Sequence, residues 1–111
     1  MTDIDLDTCL RLVSDRQRRC VLQHVRDRRT ETVAVDELVS VVERATADDT
    51  PLTAREKERI SIQLSHTHLP KFAAHDVIDY DRGNGTVRYQ PDERIESLLD
   101  SLSEETSLPT L

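Results

Sequence analysis

Apolar residues recur at helical spacing in the first quarter of the chain, which predicts two short helices. The first spans Ile4–Val13, with Leu6, Cys9, Leu10 and Val13 on one face. Ser14 and Asp15 offer an N-cap for a second helix that runs to about Arg28. Its apolar stripe comprises Val21, Leu22 and Val25, with Cys20 beside it.

The middle of the chain predicts one short strand and two further helices. Thr32–Val35 is β-branched enough to pair as a strand, and Asp36 can cap a third helix. That helix presents Leu38, Val41, Val42 and Ala45 on one face and ends before a loop at 46–53. Thr53 and Glu56 form a capping box for a fourth helix, which runs to about Ala74 and is kinked or divided by Pro70.

Two alternating segments, Val77–Asp81 and Thr86–Tyr89, predict a β-hairpin. Ile78 and Tyr80 should share a face with Val87 and Tyr89. The turn Arg82-Gly83-Asn84-Gly85 contains the only two glycines of the chain, and Asn-Gly favours a tight hairpin because both residues accept positive φ.

After Pro91, a last helix opened by Pro91 or Asp92 carries Ile95, Leu98, Leu99 and Leu102 at helical spacing. We expect one domain over residues 1–102 and a frayed tail over 103–111. The fold class is therefore mainly α with a small β-hairpin, in the order α-α-β-α-α-β-β-α. That order is typical of a winged helix-turn-helix, in which the helix before the hairpin reads DNA.

Charge changes the picture, because the 111 residues carry a net charge of −7 from 22 acidic and 15 basic residues. Only two of the basic residues are lysines, a pattern typical of proteins from a salt-saturated cytoplasm, although an ordinary acidic soluble protein is the alternative. Residues 11–29 are locally basic, with seven arginines against two aspartates. An acidic protein can still bind DNA through a locally neutral or basic face.

Cys9 and Cys20 are expected to be free thiols packed in helices. The sequence has no signal peptide and no apolar run near the roughly 20 residues that a membrane span needs, which favours a cytoplasmic protein.

The run His66-Thr67-His68-Leu69-Pro70-Lys71, followed by an acidic-Tyr-Asp entry into the hairpin, resembles the passage from recognition helix to wing in ArsR-like repressors. The resemblance is closer to an uncharacterised family of winged-helix domains from halophilic archaea, which also share the start Leu12-Val13-Ser14-Asp15-Arg16-Gln17-Arg18-Arg19. It covers residues 6–90 and implies the winged-helix fold. Asp76 stands where that family has Gly, and Asp tolerates the left-handed backbone that the turn implies.

Candidate DNA-contacting residues lie on the fourth helix and the hairpin. Spacing by four places Arg59, Gln63, Thr67 and Lys71 on one polar ridge, whose side chains can reach base edges or phosphates. Arg82 and Arg88 flank the hairpin tip and suit phosphate or a narrow minor groove. The alternatives are a solvated helix face and a solvated hairpin.

The second helix and its approach form the most basic segment. Its arginines can contact the DNA backbone, or they can pair with the acidic third helix and the C-terminal segment, which we favour. They are Arg16, Arg18, Arg19, Arg26, Arg28 and Arg29.

No cofactor, metal or small-molecule substrate is expected. His66 and His68 point about 200° apart on a helix and cannot share an ion, and His66 is expected to pack toward the core or cap it. The chain has no Cys-x-x-Cys pair, nucleophile elbow or phosphate-binding loop, so we do not expect an enzyme.

The terminal helices can cover the core of one chain or form a two-fold dimer, and we favour the dimer. The residues concerned are Leu6, Leu10, Val13, Ile95, Leu98, Leu99 and Leu102. The sequence thus predicts a homodimeric regulator of transcription that binds double-stranded DNA with the helix around 55–74 in the major groove and the 77–89 hairpin alongside. The alternative is a winged-helix module that binds proteins and has lost DNA binding.

Overall fold

The chain is mainly helical, with a small antiparallel sheet, as its apolar pattern predicts. A computed structural model describes residues 5–29, 31–47 and 50–107, with side chains through Leu102. The elements are α1 (Leu6–Ser14), α2 (Arg16–Arg28), β1 (Val33–Ala34), α3 (Val35–Thr46), α4 (Ala54–Gln63), a π-helical segment (Leu64–His68), α5 (Leu69–Ala74), β2 (Ile78–Asp81), β3 (Thr86–Tyr89) and α6 (Glu93–Ser107). The last helix runs five residues beyond its predicted end at 102, and residues 108–111 of the predicted tail lie outside the described residues.

The sheet has the order β1-β3-β2, so β3 lies in the middle. Ile78 pairs with Tyr89 and Tyr80 with Val87, which confirms the predicted sharing of faces. On its other side β3 pairs with β1, where Val33 lies opposite Val87. The two-residue strand β1 therefore joins the connection between α2 and α3 to the hairpin.

The hairpin turn differs from the predicted Asn-Gly geometry. Its four residues 82–85 separate the paired residues Asp81 and Thr86, and only Gly85 has a positive φ, of 64°. Asp81 holds Asn84 with one oxygen that accepts the backbone N–H at 3.1 Å and another that accepts the Nδ2 amide at 2.7 Å. A four-residue turn needs a left-handed residue only at its end, so Asn84 keeps an ordinary φ.

Three of the predicted N-caps are confirmed and one is wrong. At the start of α6, Asp92 accepts the N–H groups of Arg94 and Ile95 at 3.0 Å. Asp15 accepts the Arg18 N–H at the start of α2, and Thr53 and Glu56 form the reciprocal capping box of α4. Asp36 does not cap α3, which already begins at Val35 directly after β1. The Val35 N–H donates to the Gly85 carbonyl at 2.8 Å, so pairing with the hairpin fixes the start of α3 one residue before Asp36.

The predicted fourth helix is divided, as Pro70 requires. The Leu69 N–H donates to the Leu64 carbonyl five residues back, which is π-helical bonding. Pro70 then falls in the first turn of α5, where its missing N–H costs nothing. In the interior of an α-helix, the proline ring would clash with the carbonyl four residues back. The wide turn lets the chain continue past Pro70 without this clash.

The hydrophobic core lies between the helices and the inner face of the sheet. Phe72 and Tyr89 are its largest fully buried side chains, and α2 contributes Val21, Leu22 and Val25 as predicted. The predicted face of α1 is partly wrong, because the buried residues are Cys9, Leu12 and Val13, whereas Leu6 and Leu10 are 52% and 44% exposed. The apolar stripe of α1 that faces the core is therefore shifted toward Leu12, and Leu6 and Leu10 lie on the solvent-exposed side.

Candidate nucleic-acid interface

The polar ridge predicted on the fourth helix lies on the surface. Arg59 and Gln63 are exposed on α4, Thr67 is exposed in the π-helical segment and Lys71 is exposed on α5. The opposite side of the same stretch is buried through Ile60, Leu64, Leu69 and Phe72. Because a π-helical turn holds more residues than an α-helical turn, Thr67 lies less than a full turn beyond Gln63 and the ridge is offset there.

The hairpin arginines are exposed, and each has a neighbour on β2. The Arg82 guanidinium carbon lies 5.6 Å from the centre of the Tyr80 ring, and an Arg88 nitrogen lies 3.8 Å from an Asp79 oxygen. Exposed contacts of this kind hold a side chain only weakly, so both guanidinium groups stay reachable for a ligand. The exposed carboxylates of Asp79 and Asp81 stand on the same strand.

The arginines of α2 are engaged within the chain, as we favoured from the charge distribution. Arg28 pairs with Glu37 on α3 at 3.2 Å, and Arg26 pairs with Asp100 on α6 at 2.5 Å. Arg29 lies 3.9 Å from Glu96. This basic segment therefore binds the acidic elements of its own chain.

Two more of these arginines close the corner between α1 and α2. Arg18 donates to the carbonyls of Leu12 at 3.0 Å and Arg11 at 2.7 Å, and Arg19 donates to the carbonyls of Val13 and Ser14. Carbonyls at the end of a helix lack partners within it, so the two guanidinium groups complete α1. The sequence prediction did not include this role.

Glu37 on α3 contacts two side chains of α2. Its carboxylate is bonded to the His24 ring and to Arg28, and the bond to His24 is the main cause that lowers the pKa of Glu37. His24 and Arg28 are four residues apart on α2, a spacing that places both on one face. That spacing was a usable signal for this cluster in the sequence.

A polar cavity opens between the start of α2 and the π-helical segment. It has a volume of about 240 Å³ and is lined by Asp15, Arg16, Gln17, Gln63, Thr67 and His68. Gln63 and Thr67 thus belong both to this wall and to the exposed ridge. The sequence prediction missed the cavity, because two segments far apart in the chain form it.

His68 is the buried polar residue of this cavity. Its side chain and backbone are only 7% exposed, and Nδ1 has no hydrogen-bond partner among the described residues. Burial lowers the pKa of His68, with Arg18 and Lys71 adding to the effect and Asp15 opposing it. The prediction that His66 packs toward the core is wrong, because His66 is exposed and the wide turn places His68 inside.

The seven residues predicted for dimerisation fall into three groups. Val13, Ile95 and Leu99 are buried in the core of the chain itself. Leu98 and Leu102 are partly buried against that core, while Leu6 and Leu10 are the exposed members of the set. A second chain can therefore reach the outer face of α1 but not the inner residues.

The described part of the chain contains no cluster of three or more His, Cys, Asp or Glu side chains arranged to hold a metal ion. Within those same residues, none of the helices combines the length and the apolar character needed to cross a membrane.

Comparison with known proteins gives one match. Residues 10–88 match the family described as "Domain of unknown function (DUF7344)". None of the curated proteins matches the chain, and no solved structure matches it. Since the match begins in α1 and ends in β3, it includes the ridge, the cavity and the hairpin. More than half of the chain is covered, and the protein therefore belongs to the DUF7344 family.

Proposed function

We propose that the protein is a homodimeric winged helix-turn-helix regulator of transcription that binds double-stranded DNA. The order of helices and strands, with a two-residue strand before a helix pair and a hairpin after it, supports this fold. In this assignment α3 and the stretch 54–74 are the helix-turn-helix, and the β2–β3 hairpin is the wing.

The observation that carries the proposal is the exposed ridge on the stretch 54–74. Its inner side is anchored in the core by Ile60, Leu64 and Phe72, so the outer side is presented on a rigid support. Gln63, Thr67 and Lys71 supply an amide, a hydroxyl and an ammonium group, all of which bind base edges or phosphates in a major groove. Ile62, which is 51% exposed on α4, adds an apolar side chain of the kind that contacts a thymine methyl group.

The wing supports the same orientation. Arg82 in the turn and Arg88 on β3 are exposed and can reach the backbone or the minor groove next to the bound major groove. Their contacts with Tyr80 and Asp79 lie on the surface, where a phosphate can replace them at little cost.

The dimer in this proposal uses the outer face of α1. Leu6 and Leu10 are four residues apart and both exposed, which gives a second copy of the chain an apolar contact about one helical turn long. A two-fold dimer would present two ridges to successive half-sites of a pseudo-palindromic sequence.

The proposal is tested by the retention of genomic duplex fragments on the protein over a range of potassium concentrations. We expect the triple variant Gln63→Ala, Thr67→Ala, Lys71→Ala to lose at least about tenfold in affinity, because each good base contact contributes about 1–3 kcal/mol. The control Arg94→Ala, Ser97→Ala removes one positive charge from the exposed side of α6, outside the helix-turn-helix and the wing, and should bind like the wild type. Equal binding by the triple variant and the wild type would exclude this ridge as the DNA reader.

One observation favours a second candidate, a winged-helix module that binds proteins instead of DNA. The arginines of α2 are used within the chain, and Asp79 and Asp81 expose two negative charges on β2, which packs against α5. Absence of DNA retention at every salt concentration, together with a partner protein that co-purifies through the ridge, would support this candidate.

A further inference from the structure

Strand β2 forms one edge of the sheet. In the order β1-β3-β2, only β3 pairs with it among the described residues. The Gln90 N–H donates to the Val77 carbonyl at 2.8 Å, which fixes the alternation of the β2–β3 ladder. The backbone groups of Asp79 and Asp81 therefore face β3, whereas the backbone N–H and carbonyl of Tyr80 point away from it.

The pairing on the other side of β3 has the complementary alternation. The Val35 N–H donates to the Gly85 carbonyl, so Val87, which lies opposite Val33, turns its backbone groups toward β1. Val87 is also the residue opposite Tyr80 in the β2–β3 register. The outward groups of Tyr80 thus have no backbone partner in the described part of the chain, and groups of this kind at a sheet edge can pair with another extended chain.

A groove of about 680 Å³ opens between this strand and α5. Its lining comprises Pro70, Ala73 and Ala74 on one side and Asp79, Tyr80, Asp81 and Arg82 on the other. The α5 side is small and apolar, so it leaves room for the side chains of a chain that lies along β2. An edge strand beside a groove is a recurring arrangement for the binding of extended peptides.

The strand side of the groove is acidic. Asp79 and Asp81 are both exposed, and the bonds from Asn84 lower the pKa of Asp81, which keeps its carboxylate charged at neutral pH. The one positive group of the lining, the Arg82 guanidinium, lies over the Tyr80 ring at 5.6 Å from its centre. The lining therefore has a net negative charge.

These charges select the occupant. A second copy of β2 would bring its own carboxylates beside Asp79 and Asp81, and like charges on neighbouring strands destabilise the pairing. A segment with lysine or arginine at every second position places the basic side chains beside the two aspartates. Its intervening apolar side chains then lie on the face of Tyr80 and Ala73.

We propose that the groove between α5 and β2 binds an extended, alternately basic segment of a partner protein, which adds a fourth strand to the sheet. The Tyr80 N–H donates to this segment and the Tyr80 carbonyl accepts from it. The inference goes beyond the proposed function and does not rest on it, since the binding needs no DNA.

The first test titrates the full chain with the peptide acetyl-Lys-Val-Lys-Val-Lys-amide and follows the backbone amide resonances. The added strand should protect the Tyr80 N–H from hydrogen exchange, whereas the N–H groups of Asp79 and Asp81 face β3 and should keep their protection. The matched peptide with glutamate in place of lysine should bind at least about tenfold more weakly, because its charges lie beside the aspartates.

The second test locates the hydrogen bonds on the peptide. Two further peptides carry N-methyl groups, one on its lysines and the other on its valines. Only one of these two sets of N–H groups can face β2. We therefore expect one methylated peptide to lose at least about tenfold in affinity and the other to bind like the parent peptide.

The third test reverses a charge inside the groove and a charge outside it. Asp79→Lys should weaken the binding of the lysine peptide about fivefold, the effect of an exposed ion pair. Glu58→Lys makes the same change at an exposed position on α4 and should bind like the wild type. Amide spectra of both variants check that the fold is retained.

Four results would overturn the inference. They are unchanged exchange of the Tyr80 N–H at saturating or the highest soluble peptide concentration, equal affinity for the lysine and glutamate peptides, equal affinities of the two methylated peptides, and equal binding by Asp79→Lys and Glu58→Lys. The methylated peptides are measured on the wild type, so that test stands even where a variant fails to fold. A protein that retains duplex DNA through its ridge and binds none of the peptides would keep the proposed function and lose only this inference.

Discussion

Two buried side-chain atoms lack hydrogen-bond partners in the described part of the chain, the Nδ1 of His68 and the hydroxyl of Tyr89. They differ in their surroundings. His68 opens onto a polar cavity, whereas Tyr89 lies in the middle strand of the sheet with 1% of its surface exposed. The Tyr89 ring therefore contributes packing, and the backbone N–H of Asp92 near its hydroxyl acts against the effect of burial on its pKa.

Tyr89 makes the stability of the protein sensitive to alkaline pH. Burial, followed by the nearby Glu96, raises the pKa of Tyr89 to about 12 from its ordinary value of 10.0. Between these two values the unfolded chain has released the phenolic proton and the folded chain has kept it, so the free energy of unfolding falls as pH rises. We expect Tyr89→Phe to weaken this fall while it changes stability at neutral pH by no more than about 1 kcal/mol.

Urea unfolding of the wild type and Tyr89→Phe between pH 7 and pH 12 measures both effects. Tyr80→Phe, on the neighbouring strand at a half-buried position, is the matched control. Parallel pH profiles for the wild type and Tyr89→Phe would show that Tyr89 is not the source of the alkaline loss.

At the scale of single residues, the sequence predicted those features that depend on residues close together in the chain. Asp15 and Thr53 cap helices because their own side chains reach the backbone three residues on, and Asp76 has the expected left-handed backbone with φ 59°. Asp36 did not behave this way, because pairing with the hairpin starts α3 at Val35 and leaves Asp36 inside the helix. The burial of His68 depends on a change of helix type five residues long, which no single residue specifies.

The element that most affects the candidate site is the π-helical segment Leu64–His68. It allows Leu64 and Leu69 to face the core although they are five residues apart, and it turns His68 inward. Pro70 follows at once, in a first helical turn that needs no N–H from it. The wide turn therefore lowers the energetic cost of Pro70, and Pro70 lowers the cost of the wide turn.

Deletion of His66 tests this dependence. The deletion would convert the wide turn to α-helical bonding and place Pro70 in the interior of a continuous helix, which costs about 3 kcal/mol or more. We expect the shortened chain to be destabilised by roughly that amount, and we expect Pro70→Ala to restore most of the loss in the shortened chain.

Urea unfolding followed by circular dichroism compares the four chains: wild type, Pro70→Ala, the deletion, and the deletion with Pro70→Ala. His66 is exposed, so the deletion removes no core contact of its own. If Pro70→Ala gave no recovery in the shortened chain, the proline would not be the reason for the wide turn.

Helix and strand positions were predictable because their apolar periods are strong, as for Val21, Leu22 and Val25 on α2. The face of α1 was not, because Leu6, Leu10 and Leu12 are all apolar and only the neighbouring α2 and α6 decide which of them is covered. The cavity could not be predicted from the sequence for the same reason, because it depends on how the helices pack. Its walls are residues 15–17 and 63–68, and the packing of α2 against the later helices brings them together.

At the scale of the whole molecule, the uneven charge of the sequence holds the helices together. The basic α2 lies between two acidic elements, with Glu37 of α3 on one side and Glu96 and Asp100 of α6 on the other. The charges of these arginines are therefore matched within the chain. The exposed side chains of the ridge and the hairpin carry both positive and negative charges. The proposed DNA contact depends on this surface.

The proposed dimer predicts a specific effect of the exposed leucines of α1. We expect Leu6→Gln, Leu10→Gln to convert a dimer to a monomer in analytical ultracentrifugation, because the apolar contact between copies is lost. The stability of each monomer should change by no more than about 0.5 kcal/mol, since exposed positions contribute little.

Ile62→Gln is the control, because Ile62 is as exposed as Leu6 but lies on α4. It should leave the dimer intact. A wild type that sediments as a monomer at every concentration, or a double variant that stays dimeric, would remove α1 from the interface.

The hydrogen bond from the Val35 N–H to the Gly85 carbonyl has a mechanical consequence. The tip of the hairpin is tied to the first residue of α3, and β1 is tied to β3 next to it. A displacement of the tip toward any ligand pulls on the start of α3, and through Glu37 on α2. The tip of the hairpin is therefore joined through α3 and Glu37 to α2, whose first turn forms one wall of the polar cavity.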